Sequence, residues 1–345
     1  MRLARMRVMS SVPNASSYRL WGHDLVRGTR LADEYEVLNV LGSGGMSVVV
    51  GVQRLSDDAL FALKLLRRDQ IENERALLRF EREAHAAIGL ESEHTVRTYD
   101  RGTLANGTPF LVMEWLWGIG LGTMIDRTGP LEHERAIEHA LQICDAVAEA
   151  HDVGVVHRDL KAENLMICNR EDGEHVIKVL DFGMSSLHRG GERMFPCTLR
   201  GAALGTPKVM APEQWRSACD VGPSTDVWAL GCTTFEMIAG RPAFEGETLG
   251  ELSRKIFREP PPRLDRIVPE CPRETARIVA RCMAQDPLMR PTVLELVGAL
   301  ARVGNAATVA HAERLLDRYG CNESIPTQRS PGRQKYLAPT PNVTP

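Results

Sequence analysis

From Tyr35 onward apolar and polar residues alternate. The stretches "YEVLNVLG", "SVVVGVQ" and "LFALKLL" each carry the two-residue period of a half-buried strand, and "SGG" and "RLSDD" between them supply turn residues. The period then lengthens. In "ENERALLRFEREAHAAIGL" the apolar positions are 76, 77, 80, 84, 87 and 88, the spacing of one helix face. "TVRTYDRG" and "PFLVMEWL" return to strands, so this half predicts a small antiparallel sheet carrying one main helix. Past Gly118 the pattern becomes helical. "HERAIEHALQICDAVAEAHDVG" repeats apolar residues at 136/137, 140/141, 144 and 147/148. "DVWALGCTTFEMIAG" is apolar almost all round, as expected of a helix at the centre of a domain. "RETARIVARCMAQ" and "TVLELVGALARVG" are amphipathic. The fold class is therefore α+β.

The two ends behave differently. Residues 1–34 carry six arginines and little apolar periodicity, which predicts a flexible extension. Its opening, "MRLARMRVMSSVP", has no apolar h-region, so it reads as a solvated leader or as sequence ahead of a start at Met6 or Met9 rather than as a secretion signal. After the packed region at 35–303 comes a short helical stretch at 306–318. The tail "ESIPTQRSPGRQKYLAPTPNVTP" has five prolines and few apolar residues, so it cannot fill a core and is expected to be disordered.

Composition narrows the class. The chain has 345 residues, 43% of them hydrophobic, and a formal net charge of −3, with no global basic field for nucleic acid. The eight cysteines lie far apart without a Cys-x-x-Cys pair, which argues against a cysteine metal site and for free thiols in a reducing cytoplasm. No apolar run reaches the roughly 18 residues of a membrane-spanning helix.

The chemistry is concentrated in "VVHRDLKAENLMI", residues 155–167. His157, Arg158, Asp159, Lys161 and Asn164 crowd between apolar flanks, where charge is costly unless paired or used. The "NLMI" and "VIKVLDFG" stretches bracket a turn, so a hairpin brings Asn164 and Asp181 together. An amide and a carboxylate side by side offer the oxygen ligands that Mg²⁺ prefers. Asp159 stays free to receive a proton and Lys161 to stabilise charge on a transferring group. "LGSGGMSVVV" is a strand, glycine turn and strand whose backbone can approach phosphates closely. Lys64 ends the strand "FALK", and Glu83 in the following helix is positioned to pair with it. A hairpin and a buried salt-bridge network would explain some of these residues but leave three oxygen-rich groups without a cation.

The set resembles the catalytic domain of eukaryotic-like Ser/Thr protein kinases, in the style of bacterial members. "GSGGMSVV" is similar to the Gly-rich loop, "FALK" to the nucleotide-binding strand, "HRDLKAEN" to the catalytic loop, and "DFG" and "APE" to the ends of the activation segment. At about one chance in twenty per position, the seven fixed residues of "HRDLKxEN" make roughly a one-in-a-billion coincidence. The resemblance implies a bilobal fold over 35–303, with an antiparallel β N-lobe at 35–115 and a mostly helical C-lobe at 116–303. It implies ATP and Mg²⁺, with Mn²⁺ as an alternative ion, and protein substrates bearing Ser/Thr acceptors. Asp159 and Lys161 become the catalytic pair, and Asn164 and Asp181 the metal ligands. Lys64, paired with Glu83, meets the α- and β-phosphates. The Gly-rich loop (Leu41, Gly42, Ser43, Gly44, Gly45, Met46, Ser47, Val48 and Val49) covers the nucleotide. Ala62 and Val49 lie above the adenine and Met166 below, Met113 is the gatekeeper, and the backbone of Glu114 and Leu116 binds the adenine edge. Glu213 pairs with Arg290, and Asp226 braces the catalytic loop.

This chain departs from the family pattern at Ser47, in place of the third loop glycine, at Ala162, where proline is usual, and at Val209, where tyrosine is usual. None removes a catalytic atom. Lys161 and Thr206 favour Ser/Thr over Tyr acceptors. A nucleotide-binding pseudokinase would lack Lys64, Asp159, Asn164 or Asp181, and a small-molecule phosphotransferase would lack "APE" and the Glu213–Arg290 pair. Between Asp181 and Glu213 the only threonines are Thr198 and Thr206. With Thr206 committed to the site, Thr198 is the expected acceptor for autophosphorylation through a transient homodimer, its phosphate pairing with Arg158.

Overall fold

The computed structural model describes residues 25–170, 173–181, 186–189, 192–193, 206–217 and 221–321, with only the backbone of 186–189 and 192–193. Strand β1 (Arg30–Leu31) pairs with β2 (Tyr35–Ser43). There follow β3 (Ser47–Arg54), β4 (Leu60–Leu66), helix α1 (Glu74–Ala87), β5 (Thr98–Thr103) and β6 (Pro109–Glu114). The strands form one antiparallel sheet in the order β1-β2-β3-β4-β6-β5. Valines along β3 divide between its faces. Val48, Val50 and Val52 pack with Tyr35, Leu63 and Val112 on one side, while Val49 faces the other with Ala62, Leu66, Leu111 and the α1 residues Ala76, Phe80 and Ala84. Branched side chains at a two-residue period are what a pleated, two-sided surface selects. Helix α1 starts where Asn73 accepts the N–H groups of Arg75 and Ala76 at 3.1 and 3.3 Å, satisfying donors the helix leaves open.

The second half opens with β7 (Gly118–Gly120), α2 (Leu121–Thr128), α3 (His133–Asp152) and β8 (Val155–Val156). The hairpin of β9 (Leu165–Asn169) and β10 (His175–Val179) joins β7 in one small sheet, and β11 (Ser186–Arg189) joins β8 and β12 (Glu192–Arg193) in another. Then come α4 (Pro212–Arg216), α5 (Pro223–Ala239), α6 (Leu249–Arg258), α7 (Leu264–Ile267), α8 (Arg273–Cys282), α9 (Val293–Ala301) and α10 (Ala306–Arg318). Helix α5 is buried all round, with Trp228 and Phe235 among the largest fully enclosed side chains, and α3, α8, α9 and α10 complete that core. Among the described residues no helix is long and apolar enough to cross a membrane.

The fold is that of a protein kinase, and it corrects two sequence-based boundaries. Packed structure begins before Tyr35: Leu31 is buried, and Leu25 lies against the same cluster. At the other end the domain does not stop at 303. Helix α10 places Ala312, Leu315 and Leu316 in the main core, the two leucines being worth at most roughly 3–6 kcal/mol of apolar burial. Residues 1–24, Thr198 and the tail from 322 lie outside the described residues.

Candidate functional site

The site hangs from the buried helix α5. Asp226, fully enclosed, accepts the backbone N–H of His157 (2.8 Å), the backbone N–H of Arg158 (2.8 Å) and Nε2–H of His151 (2.8 Å). Burial alone would raise its pKa; the His151 hydrogen bond, the neighbouring imidazoles and the loop amides outweigh burial and hold the carboxyl below its ordinary range. This grip keeps Arg158 at a φ of +69°, a left-handed conformation that disfavours a side chain. From the other side Gln214 Nε2 donates to the Arg158 carbonyl at 2.8 Å, while its Oε1 takes the N–H of Ala211 at 2.9 Å. Gln214 was not singled out from sequence; its signal is the position immediately after "APE", at the start of α4.

The loop so held presents Asp159. Thr206 N–H donates to Asp159 Oδ1 at 2.9 Å, and Lys161 Nζ lies 3.0 Å from Oδ2. The Lys161 ammonium also donates to the Thr206 hydroxyl. Asn164 Nδ2 donates to the Asp159 carbonyl at 2.8 Å and reaches Oδ2 at 3.3 Å, which leaves Asn164 Oδ1 as its ligand atom. Four groups from two separate segments thus fix one carboxylate, half-buried and facing the cleft.

The β9–β10 register, with Leu165 opposite Val179, puts Asn164 and Asp181 at the open end of the hairpin, as the sequence predicted. The approach to Asp181 is tied down atom by atom. Val179 N–H donates to the His94 carbonyl (2.7 Å), Leu180 N–H to the Asn164 carbonyl (2.8 Å), and His157 Nε2–H to the Leu180 carbonyl (3.1 Å). Asp181 itself has a φ of +54°. Its Oδ1 takes Lys64 Nζ at 2.6 Å, and the same ammonium donates to Glu83 of α1. One buried cation therefore serves two carboxylates. Burial works against charge on Lys64, yet Asp181 and Glu83 keep its pKa above the usual value. Burial pushes Glu83 up to about 7, whereas for Asp181 the Lys64 charge overcomes burial and lowers it. An amide oxygen and an ionised carboxylate form a hard donor set, which fits Mg²⁺.

The expected nucleotide residues line the cleft between the two halves. Gly42 and Gly45 have open space where a Cβ would stand, and Gly44 N–H donates to the Ser47 carbonyl at 2.9 Å, closing the turn that carries Ser43 and Met46. Val49, Ala62, Met113 and Leu116 share the inner face of the sheet, and Leu41, Leu116 and Met166 border a cavity of about 840 Å³. Val48 is a correction. Its side chain is buried on the opposite face of the sheet, because neighbouring strand residues point opposite ways, so only its backbone faces the cleft. Glu83 likewise meets Lys64 rather than the cavity wall. The Glu114 carboxylate accepts Lys178 Nζ (2.7 Å) and Arg97 N–H (2.8 Å), tying the connector after β6 to β10 and leaving only main chain toward the cleft. Close packing flanks that connector. A Cβ on Gly51 of β3 would stand 2.3 Å from the Trp115 ring, and one on Gly118 would stand 2.0 Å from the Ile167 carbonyl oxygen.

Away from the chemistry, Arg290 and Glu213 form a two-pronged pair at 2.6 and 2.8 Å. The guanidinium also donates to the Ala284 carbonyl at 2.8 Å and stacks 5.0 Å over Trp228. This braces the segment carrying Ala211–Gln214.

Comparison with known sequences agrees with this geometry. The profile of the protein kinase domain matches residues 35–299. Serine/threonine-protein kinase pkn3 of Myxococcus xanthus is 33% identical over 270 residues, covering 78% of this chain and 49% of that protein. Serine/threonine-protein kinase PknB of Mycobacterium tuberculosis is 33% identical over 287 residues, covering 80% of this chain and 44% of that protein. Serine/threonine-protein kinase PrkC of Bacillus subtilis is 33% identical over 263 residues, covering 76% and 39%. The chain thus spans half or less of the length of these relatives.

Proposed function

The chain belongs to the protein kinase family, and from that premise we propose that it transfers the γ-phosphoryl group of ATP to serine and threonine hydroxyls of protein substrates. The observation that carries this reading is the fourfold hold on Asp159. It orients one carboxylate oxygen to accept the proton of an incoming hydroxyl while Lys161, on the same carboxylate, steadies charge on the transferring group. Lys64 contacts the α- and β-phosphates, kept in place by Glu83. Asn164 and Asp181 would hold Mg²⁺, which when bound neutralises phosphate charge. The contact between Lys161 and Thr206 fills the space beside Asp159 and supports Ser/Thr over Tyr acceptors. Labelled ATP and Mg²⁺ with Ser, Thr and Tyr peptide panels tests the reading. Label is expected on Ser and Thr and absent with Asp159→Asn; transfer by that variant at the parent rate overturns it.

Regulation through the activation segment is part of the same reading. With the Thr206 hydroxyl and N–H both engaged at Asp159 and Lys161, Thr198 is the remaining threonine acceptor, and a second copy of the chain delivers the phosphate. Mass spectrometry of active protein beside Thr198→Ala checks this: an unmodified Thr198 with full activity in the variant removes the switch. The six described cysteines are all free and five are buried, which supports a reducing, cytoplasmic setting.

A further inference from the structure

A second cluster of ionisable groups lies on the far side of β10 from the phosphate-transfer site. His94, in the loop between α1 and β5, Asp145 of α3 and His311 of α10 bring one ligand atom each within 4.8 Å of one another. His94 and Asp145 are buried, and the rings of His94 and His311 stack with centroids 5.4 Å apart. His311 Nε2 already lies 3.0 Å from Asp145 Oδ2.

The independent observation is His94 Nε2. The ring is only 2% exposed, and its other nitrogen, Nδ1, lies 3.2 Å from the Ile177 carbonyl. A carbonyl only accepts, so Nδ1 carries the proton and Nε2 presents a lone pair. That lone pair points into the cluster and has no hydrogen-bond partner. Buried acceptors are rarely left unmatched, because desolvation without compensation is unfavourable. Neither neighbour in the cluster repairs it: Asp145 offers only lone pairs, and His311 Nε2 is directed at Asp145.

We propose that His94, Asp145 and His311 bind a Zn²⁺ ion that fastens helix α10 to the α1–β5 loop. Two imidazole nitrogens and one carboxylate oxygen are ordinary zinc donors, and tetrahedral ligation at about 2.0–2.1 Å requires ligand atoms roughly 3.3 Å apart. The Asp145–His311 pair meets that spacing, and a small ring movement brings in His94. Water completes the tetrahedron. The supporting contacts are also present. The Ile177 carbonyl fixes the His94 tautomer, while Ser92 Oγ (3.2 Å) and Arg318 Nη1 (3.0 Å) occupy Asp145 Oδ1 and leave Oδ2 for the metal. Arg318 is 54% exposed at its side chain and can yield toward solvent when the cation enters. Glu93, with Oε1 3.9 Å from His94 Nε2, adds a compensating negative charge.

The kinase profile ends at residue 299, so His311 comes from outside the matched domain. The ion would therefore join this chain's own terminal helix to a loop whose His94 carbonyl holds Val179, two residues before Asp181. The test uses the full chain, stripped with a chelator and dialysed into excess Mg²⁺ so that oxygen-donor sites are filled. Zn²⁺ is titrated in competition with a chromophoric chelator, and Co²⁺ is added separately to read coordination from its visible absorption. We expect one equivalent of Zn²⁺, a rise in Tm on binding, a tetrahedral Co²⁺ spectrum without thiolate charge transfer, and at least a tenfold weaker Kd in His94→Ala and His311→Ala. Cys321→Ser, which removes the exposed thiol beyond α10, should bind as the parent does. Absence of saturable binding at tenfold excess Zn²⁺, or an unchanged Kd in folded His311→Ala, overturns the site. So does loss of binding in Cys321→Ser. His311 is half-buried on the last helix, so this variant keeps the test decisive even if His94→Ala does not fold.

Discussion

Replacing Asp226 with asparagine isolates what holds the catalytic loop. One Asp226 oxygen accepts both His157 N–H and His151 Nε2–H, and the other accepts Arg158 N–H, all at 2.8 Å. Asparagine has a single acceptor oxygen. Its least costly placement keeps the two-donor oxygen and turns the NH₂ toward the Arg158 N–H, so that donor faces donor. One hydrogen bond to a charged group is lost, about 1.5–3 kcal/mol, and a buried N–H is stranded. Arg158 is then less firmly held at its φ of +69°, a conformation that itself costs on the order of 1–3 kcal/mol. A local loss of about 2–4 kcal/mol corresponds to roughly 30–1000-fold in an opening equilibrium. Native-state hydrogen exchange should therefore show the His157 and Arg158 amides opening faster by that factor, with α5 core amides far less affected. Steady-state kinetics should show kcat down at least tenfold and KM for ATP within about twofold, because Lys64 and the glycine turn are untouched. If both amides stay as protected as in the parent and kcat is unchanged, Asp226 does not position the loop.

Lys64→Met and Asp159→Asn should each give folded protein with activity reduced on the order of 10²-fold or more, read by circular dichroism beside a phosphotransfer assay. Deleting residues 322–345 should leave turnover of a generic substrate within about twofold, whereas ending the chain at 304 removes Leu315 and Leu316 from the core and should lower Tm by roughly 10 °C or more. His139, buried in α3, has its pKa depressed by burial to about 4. Its folded form stays neutral while the unfolded chain takes up a proton near 6.5, so stability present above that pH is lost as pH falls toward 4, by about 3 kcal/mol. Urea midpoints at pH 7 and pH 5 should differ accordingly, with a smaller difference in His139→Asn.

Much of this was legible because strands and helices leave different periods. The valines at 48, 50 and 52 announce their strand, and the ring of apolar residues on 223–239 announces a central helix. The carboxylates were legible for another reason: a motif as dense as "HRDLKAEN" has no cheap structural alternative. What sequence did not show is direction. Alternation places Val48 on one face of β3 but not on which, so its assignment to the nucleotide failed where that of Val49 did not. Helix α6 passed unread although Thr248 caps its start, accepting Glu251 N–H at 3.1 Å, and Leu252 and Ile256 lie four residues apart. The domain end at 303 was drawn too early because "HAERLL" carries few apolar residues, and only packing against α3 and α9 reveals that they are enough. Gln214 escaped because its partner is a main-chain carbonyl, which has no signature in sequence.

The connector between the two halves has a mechanical consequence. At one end the indole of Trp115 lies flush on Gly51, and at the other the main chain of Gly118 rides against the Ile167 carbonyl, each contact possible only because a Cβ is absent. Sliding the halves past each other along this edge would pry off the indole or drive two backbones together. Torsion about Leu116 and Trp117 does neither. The cleft is thus built to swing like a door on a single pin rather than to shear. A methyl group at position 51 or 118 would act as a shim, resetting the angle at which the door rests and with it the rate at which nucleotide enters and leaves.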